Sequence, residues 1–158
     1  MRTSVGTVVI GAGQAGLAMS RCLSDRGLPH VVLERGAVAN SWSARRWESF
    51  RLLSPNWQTR LPGACYRGPD PDGFMTGAEV VDFLQGYARS FDAPVRTGVE
   101  VLRVRPGPHR SGTAGWRVET DTGTSHADAV VVATGDLARP RLPEIARALP
   151  PELRQLHA

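Results

Sequence analysis

The first apolar run, Val8-Val9-Ile10, is unbroken and short, the pattern of a strand buried on both faces, and it predicts a strand over 7–10. The period then changes. Ala15, Ala18, Met19, Cys22 and Leu23 recur at helical spacing, while Arg21 and Asp25 fall on the opposite side. A helix is therefore expected over 14–25, capped at Gly27 and unable to continue past Pro29. A second apolar run, Val31-Val32-Leu33, predicts a strand over 30–34. Strand–helix–strand crossovers are right-handed, so the two strands should be parallel neighbours.

Beyond residue 34 the periodicity breaks. The stretch 35–67 carries Trp42, Trp47, Phe50 and Trp57 together with Arg35, Arg45, Arg46, Arg51 and Arg60. One short helix fits residues 41–48, and Pro55 and Pro62 exclude regular structure after it. A long irregular segment rich in aromatics marks either a functional loop or a cap over the core.

Regularity then returns. Thr76 followed by Glu79 is a capping-box signature. It opens a helix expected over 77–91, with Val80, Val81, Leu84, Tyr87, Ala88 and Phe91 on the apolar face. Strand-like pieces follow at 95–96, 100–105, 115–120 and 125–133. Turn signals at Gly107-Pro108 and Asp121-Thr122-Gly123 separate them, which predicts an antiparallel meander inserted in the α/β frame. Val130-Val131-Val132-Ala133 reads as a buried strand ended by Thr134-Gly135. A proline-rich tail follows, with a short helix expected over 144–149.

The chemistry concentrates at Gly11-Ala12-Gly13-Gln14-Ala15-Gly16, which lies between a strand and a helix start. That is a dinucleotide-binding fingerprint in its expected setting. Gly11 permits the tight turn, Gly13 leaves room for a pyrophosphate, and Gly16 lets helix and strand pack closely. The helix N-terminus offers unpaired N–H groups and a positive dipole end. Glu34 closes the second strand at about the 20-residue interval expected of the acid that accepts ribose hydroxyls. Ligands gather at the carboxyl ends of parallel strands, so Ala133-Thr134-Gly135 should lie beside Gly11–Gly16.

Composition narrows the function further. The net charge is +4, carried entirely by scattered Arg with no Lys, and this argues against a nucleic-acid-binding stripe. Cys22 and Cys65 are far apart, and the four His show no ligand spacing, so neither a redox dithiol nor a metal site is expected. No apolar run is long enough to span a membrane. The N-terminus leads straight into the first strand, and the expected setting is the cytoplasm.

Four segments in order, GAGQAG, the strand ending in Glu34-Arg35, SWSARRWESFRLLSPNWQTRLPG and VVVATGDLARPRLP, resemble the flavin-containing monooxygenases. The similarity is closest to the bacterial branch related to plant YUCCA-type enzymes. It implies a Rossmann-like FAD-binding domain over 1–143 and a tail over 144–158 leading toward an NADPH domain. It also implies FAD as cofactor, NADPH as reductant of the flavin, and oxygenation of a small-molecule substrate. By position, Gly11, Gly13, Gln14, Ala15 and Gly16 would cradle the FAD pyrophosphate. Glu34 would hold the ribose, and Arg35 would lie along the adenine. Ser41 and Trp42 would pass the ribityl side, Val101 would meet adenine through its backbone, and Ala133-Thr134-Gly135 would close over the dinucleotide. Asn56 falls where the family carries polar residues near the flavin ring.

The chain departs from that family in length, and no second glycine fingerprint follows the VVVATG segment. The expected fold is thus a truncated form of a two-dinucleotide architecture, with no catalytic residue assigned. Two alternatives stand beside the monooxygenase-like reading. One is a non-catalytic remnant, a FAD-binding or simply folded domain without turnover, open to a partner chain; the partner expectation also includes a homodimer. The other is the NAD(P)-binding domain of a dehydrogenase.

Overall fold

The computed structural model describes residues 3–44, 46–108, 114–135 and 142–155. Strand β1 (Thr3–Ile10) lies at the middle of a six-stranded sheet, with β2 (His30–Glu34) on one side and β8 (Gly123–Val132) on the other. β5 (Val95–Thr97) extends the sheet beyond β2, and β7 (Ala114–Thr120) and β6 (Val101–Pro108) extend it beyond β8. The order is β5-β2-β1-β8-β7-β6. The first four strands are mutually parallel, and β8, β7 and β6 pair antiparallel. Of the four pieces expected in the antiparallel meander, 95–96 is instead β5, parallel to β2 at the opposite edge of the sheet; the other three are β6, β7 and β8, and β8 belongs to the α/β frame as well.

Helices α1 (Gln14–Ser24) and α3 (Gly77–Arg89) pack on one side of the sheet. Successive strand residues point to opposite faces, and both faces of β1 and β2 are buried. Val9 and Val32 join Leu17, Leu84 and Tyr87 on the helix side. Val8, Ile10, Val31 and Leu33 meet Val118 and Ala127 on the other. Among the described residues, no helix is long and apolar enough to cross a membrane.

Several expectations need correction. The inward face of α1 is Gly16, Leu17 and Ser20, while Ala15 and Met19 are exposed. A methyl group on Gly16 would overlap the carbonyl oxygen of Gly11, so this contact sets the rotation of the helix. Ser20 is satisfied by His30, whose Nε2 lies 2.8 Å from its hydroxyl and ties α1 to β2. Cys22 is half-buried. Val132 is 70% exposed, not part of a strand buried throughout. Among the described residues, pairing with β7 ends at Ala127, and beyond it β8 pairs with β1 alone. Gly107 and Pro108 stay in β6, paired with Gly115 and Ala114. The hairpin turn itself lies outside the described residues.

The remaining elements follow their local signals. The helix expected over 41–48 is α2, Asn40–Ala44. The capping box of α3 forms with both bonds, the N–H of Glu79 donating to Thr76 Oγ1 and that of Thr76 to Glu79 Oε2. α4 (Ile145–Ala148) lies inside the window expected for it. The exception is the stretch from which Pro55 and Pro62 were expected to exclude regular structure: a 3₁₀ turn (Asn56–Gln58) follows Pro55, and a two-stranded hairpin, β3 (Arg60–Leu61) and β4 (Ala64–Cys65), turns at Pro62, where no ladder N–H is needed.

Candidate dinucleotide site

Gly11 adopts φ 105°, a conformation that side chains rarely enter, and its N–H donates to the carbonyl of Leu33 at 2.8 Å. The turn is thereby fastened to the end of β2. Gly13 caps α1 with extended backbone and no side-chain cap bond, and a Cβ there would meet nothing within 4 Å. Space therefore opens directly at the helix N-terminus, where no acidic residue occupies the first turn. The third glycine is closed in by contrast, since Gly16 is buried against Gly11.

Both oxygens of Glu34 turn toward backbone. Oε2 accepts the N–H of Ala12 at 2.8 Å, and Oε1 accepts that of Gly36 at 2.9 Å. A carboxylate oxygen has further lone pairs, so each can still accept a ribose hydroxyl. Arg35 is exposed and stands 3.8 Å from Glu100. The N–H of Val99 donates to the carbonyl of Glu34 at 3.0 Å. Together these contacts bring the start of β6, with Val101, to the end of β2. A groove of about 650 Å³ opens beside them, walled by Arg35, Val38, Gln85, Ala88 and Gly98.

Ala133-Thr134-Gly135 lies where expected. The N–H of Ala133 donates to Ile10 at 2.9 Å, and a Cβ on Gly11 would stand 2.5 Å from the carbonyl oxygen of Ala133. Thr134 and Gly135 are exposed, the latter with φ 69°. Gln14 and Ala15 are exposed at the head of α1.

A second recess of about 110 Å³, which shares no lining residue with the groove beside Arg35, is lined by Gln14, Trp42, Ser54, Arg60, Leu61 and Phe83 among others. Most of its walls come from the irregular segment, and the rest from Gln14 of α1, Met75 and α3. Ser41 is exposed on α2 and Trp42 is half-buried. The Arg46 guanidinium lies 5.0 Å from the ring centroids of both Trp42 and Phe50. Its Nε is buried and has no partner among the described residues. The aromatic segment is thus part core cap and part cavity wall.

Asn56, which the resemblance sets near the flavin ring, is buried, its Nδ2 donates to the carbonyl of Asp70 at 2.8 Å, and its Oδ1 accepts the N–H of Met75 at 2.8 Å. The amide staples the loop. Reading the sequence also missed Tyr87 as a polar contact, placing it only on an apolar face. Its hydroxyl donates to the carbonyl of Pro62 at 2.7 Å. Burial pushes the Tyr87 phenol up, with Arg21 opposing and Cys22 and Asp25 adding to the rise. A tyrosine at a helical apolar position was the available signal, since a buried hydroxyl requires a partner.

Comparison with known proteins identifies the family and the fold. The family model for pyridine nucleotide-disulphide oxidoreductases matches residues 8–154. An uncharacterized CzcO-like oxidoreductase of Geobacillus kaustophilus is 33% identical over 158 residues, covering 99% of this chain and 43% of that protein. The probable indole-3-pyruvate monooxygenase YUCCA1 of Arabidopsis thaliana is 34% identical over 142 residues, covering 89% of this chain and 33% of that protein. A flavin-containing monooxygenase from Stenotrophomonas maltophilia superposes with a TM-score of 0.77 at 32% identity, covering 90% of this chain and 42% of that one. The chain spans less than half the length of these relatives. The resemblance to flavin monooxygenases carried by the four sequence segments holds in both sequence and fold. The family match runs from the first buried strand into the tail, and on that extent the chain belongs to the pyridine nucleotide-disulphide oxidoreductase family.

Proposed function

We propose that the chain is the FAD-binding portion of a flavin-dependent, NADPH-using monooxygenase-like oxidoreductase. One observation carries the reading: the Ala12 N–H to Glu34 bond couples the glycine turn to the acid at the end of β2. A phosphate-cradling turn and a ribose acceptor thus stand in fixed relation. The residues fit the group, because Gly13 leaves open the space a pyrophosphate needs.

In this reading Gly11, Gly13, Gln14, Ala15 and Gly16 surround the pyrophosphate and Glu34 holds the ribose. Arg35 and the backbone of Val101 flank the adenine. Ser41 and Trp42 border the ribityl side, and Ala133-Thr134-Gly135 closes the far wall. Residues 1–143 form the binding unit and 144–158 a connecting tail. When bound, the flavin supplies hydride acceptance and reaction with dioxygen. This chain binds it, orients it and covers one side from water; the substrate is a small molecule.

A second reading, a FAD-binding domain without turnover, draws support from the one glycine turn of this kind among the described residues. An NAD(P)-binding dehydrogenase domain is disfavoured, because the antiparallel run β6-β7-β8 replaces the strand–helix alternation such a domain keeps. Equilibrium titration with FAD, FMN and NAD tests the assignment. FAD should bind most tightly, and equal or tighter binding of NAD would overturn it.

A further inference from the structure

The β3–β4 hairpin has two residues in each strand, too few to hold its own shape. Its fastening comes from elsewhere. Leu61, Ala64 and Tyr66 lean on the helix-side core. At the tip, Pro62 offers its carbonyl to the hydroxyl of Tyr87 on α3, a residue only 3% exposed. Gly63, beside it, turns through φ 75° against the Arg21 guanidinium. The base of the hairpin is Thr59, Arg60 and Leu61, and these form one wall of the recess beyond Gln14.

That recess has a definite relation to the glycine turn. A dinucleotide is a linear ligand with its pyrophosphate in the middle. Glu34 marks the adenosine end on one side of the turn. Gln14, the first residue of α1, follows Gly13 directly and lines the recess, which shares no residue with the groove beside Arg35. A dinucleotide with its adenosine end at Glu34 and its pyrophosphate at Gly13 would reach the wall that the hairpin forms with its other half.

We propose that Tyr87 is a positioning residue for the non-adenosine half of the bound dinucleotide, acting through its hydrogen bond to Pro62 and the hairpin wall. The inference rests on the FAD reading of the site. Tyr87 itself touches no ligand. Its hydroxyl selects one placement of Thr59-Arg60-Leu61 and so preorganises the surface that the flavin half meets.

ADP carries the adenosine and pyrophosphate without the flavin half, so comparing it with FAD isolates the effect. Both ligands are titrated calorimetrically into the parent chain, Tyr87→Phe and Tyr66→Phe, and melting is followed by circular dichroism. Tyr66→Phe removes a hydroxyl just beyond the hairpin that has no hydrogen-bond partner among the described residues. Tyr87→Phe should weaken FAD by about three- to tenfold, the scale of one neutral hydrogen bond, while ADP affinity stays at the parent value. Tyr66→Phe should leave both affinities unchanged. FAD affinity unchanged in Tyr87→Phe overturns the proposal. Equal loss of ADP and FAD also overturns it, because the effect would then be general loosening of the fold. A parent chain that binds ADP but gains nothing from the flavin half, or binds neither ligand, overturns the FAD reading and this inference with it.

Discussion

The N–H of Ala12 and the carboxylate of Glu34 are joined across 2.8 Å, although 22 positions separate the two residues in the chain. The bond gives Glu34 two duties. It orders the glycine turn from below and keeps lone pairs free for a ligand.

Glu34→Ala should therefore weaken FAD binding by about 1–3 kcal/mol, the scale for hydrogen bonds to a charged acceptor. It should also lower thermal stability, because the Ala12 and Gly36 N–H groups lose their partner. Glu34→Gln retains one acceptor oxygen and should lose less in both respects. Calorimetric titration and circular dichroism melts of the two variants check this. Parent-like behaviour of both would reduce Glu34 to a surface acid.

The glycines of the turn should separate by substitution. Gly13→Val should keep a native-like circular dichroism spectrum, since nothing lies within 4 Å of a Cβ there, yet lose most FAD affinity. Gly16→Ala should instead destabilise the fold by about 1–3 kcal/mol, as overpacking against backbone does. Unchanged FAD affinity in Gly13→Val would show that the turn does not hold the dinucleotide.

The α3 cap predicts a pH dependence. The Glu79 carboxyl sits below its usual value of 4.5, chiefly through the backbone hydrogen bond from Thr76, then that residue's hydroxyl, with Arg51 assisting against desolvation. The folded state therefore binds this proton less readily than the unfolded chain. The cap's stabilisation is present above pH 4.5 and is lost as pH falls through the lowered value. Urea unfolding of the parent and Glu79→Gln at pH 7 and at pH 3 reads the effect. The parent's advantage should shrink in acid, and a gap independent of pH would refute the assignment.

Activity should be absent from the chain alone. Hydride transfer requires the nicotinamide to be held at near-contact distance from the flavin, and that positioning supplies much of the rate. A nicotinamide dinucleotide site needs a βαβ unit of about thirty residues. Among the described residues after Gly135, the structure has only the short helix α4. NADPH consumption under air with excess FAD should match free flavin. Turnover above that level, abolished by Gly13→Val, would mean that these residues complete a site, as across a homodimer.

The sequence by itself determined the parts whose causes are local. Strand β2, the start of α1, the capping box of α3 and the turn at Asp121-Thr122 all follow from periodicity and turn chemistry over a few residues. The glycine turn and Glu34 were legible for the same reason, because spacing along one crossover unit sets their distance. The tertiary structure alone decided the facing of α1, since the Gly16–Gly11 contact outweighs the apolar moment of Ala15 and Met19. It alone decided that Val132 is exposed, because burial there depends on how far β7 reaches. It also decided the partners of Asn56 and Tyr87, even where a buried hydroxyl signalled that one was needed. Each bonds to a backbone carbonyl more than a dozen residues away, and a carbonyl carries no signature of residue type.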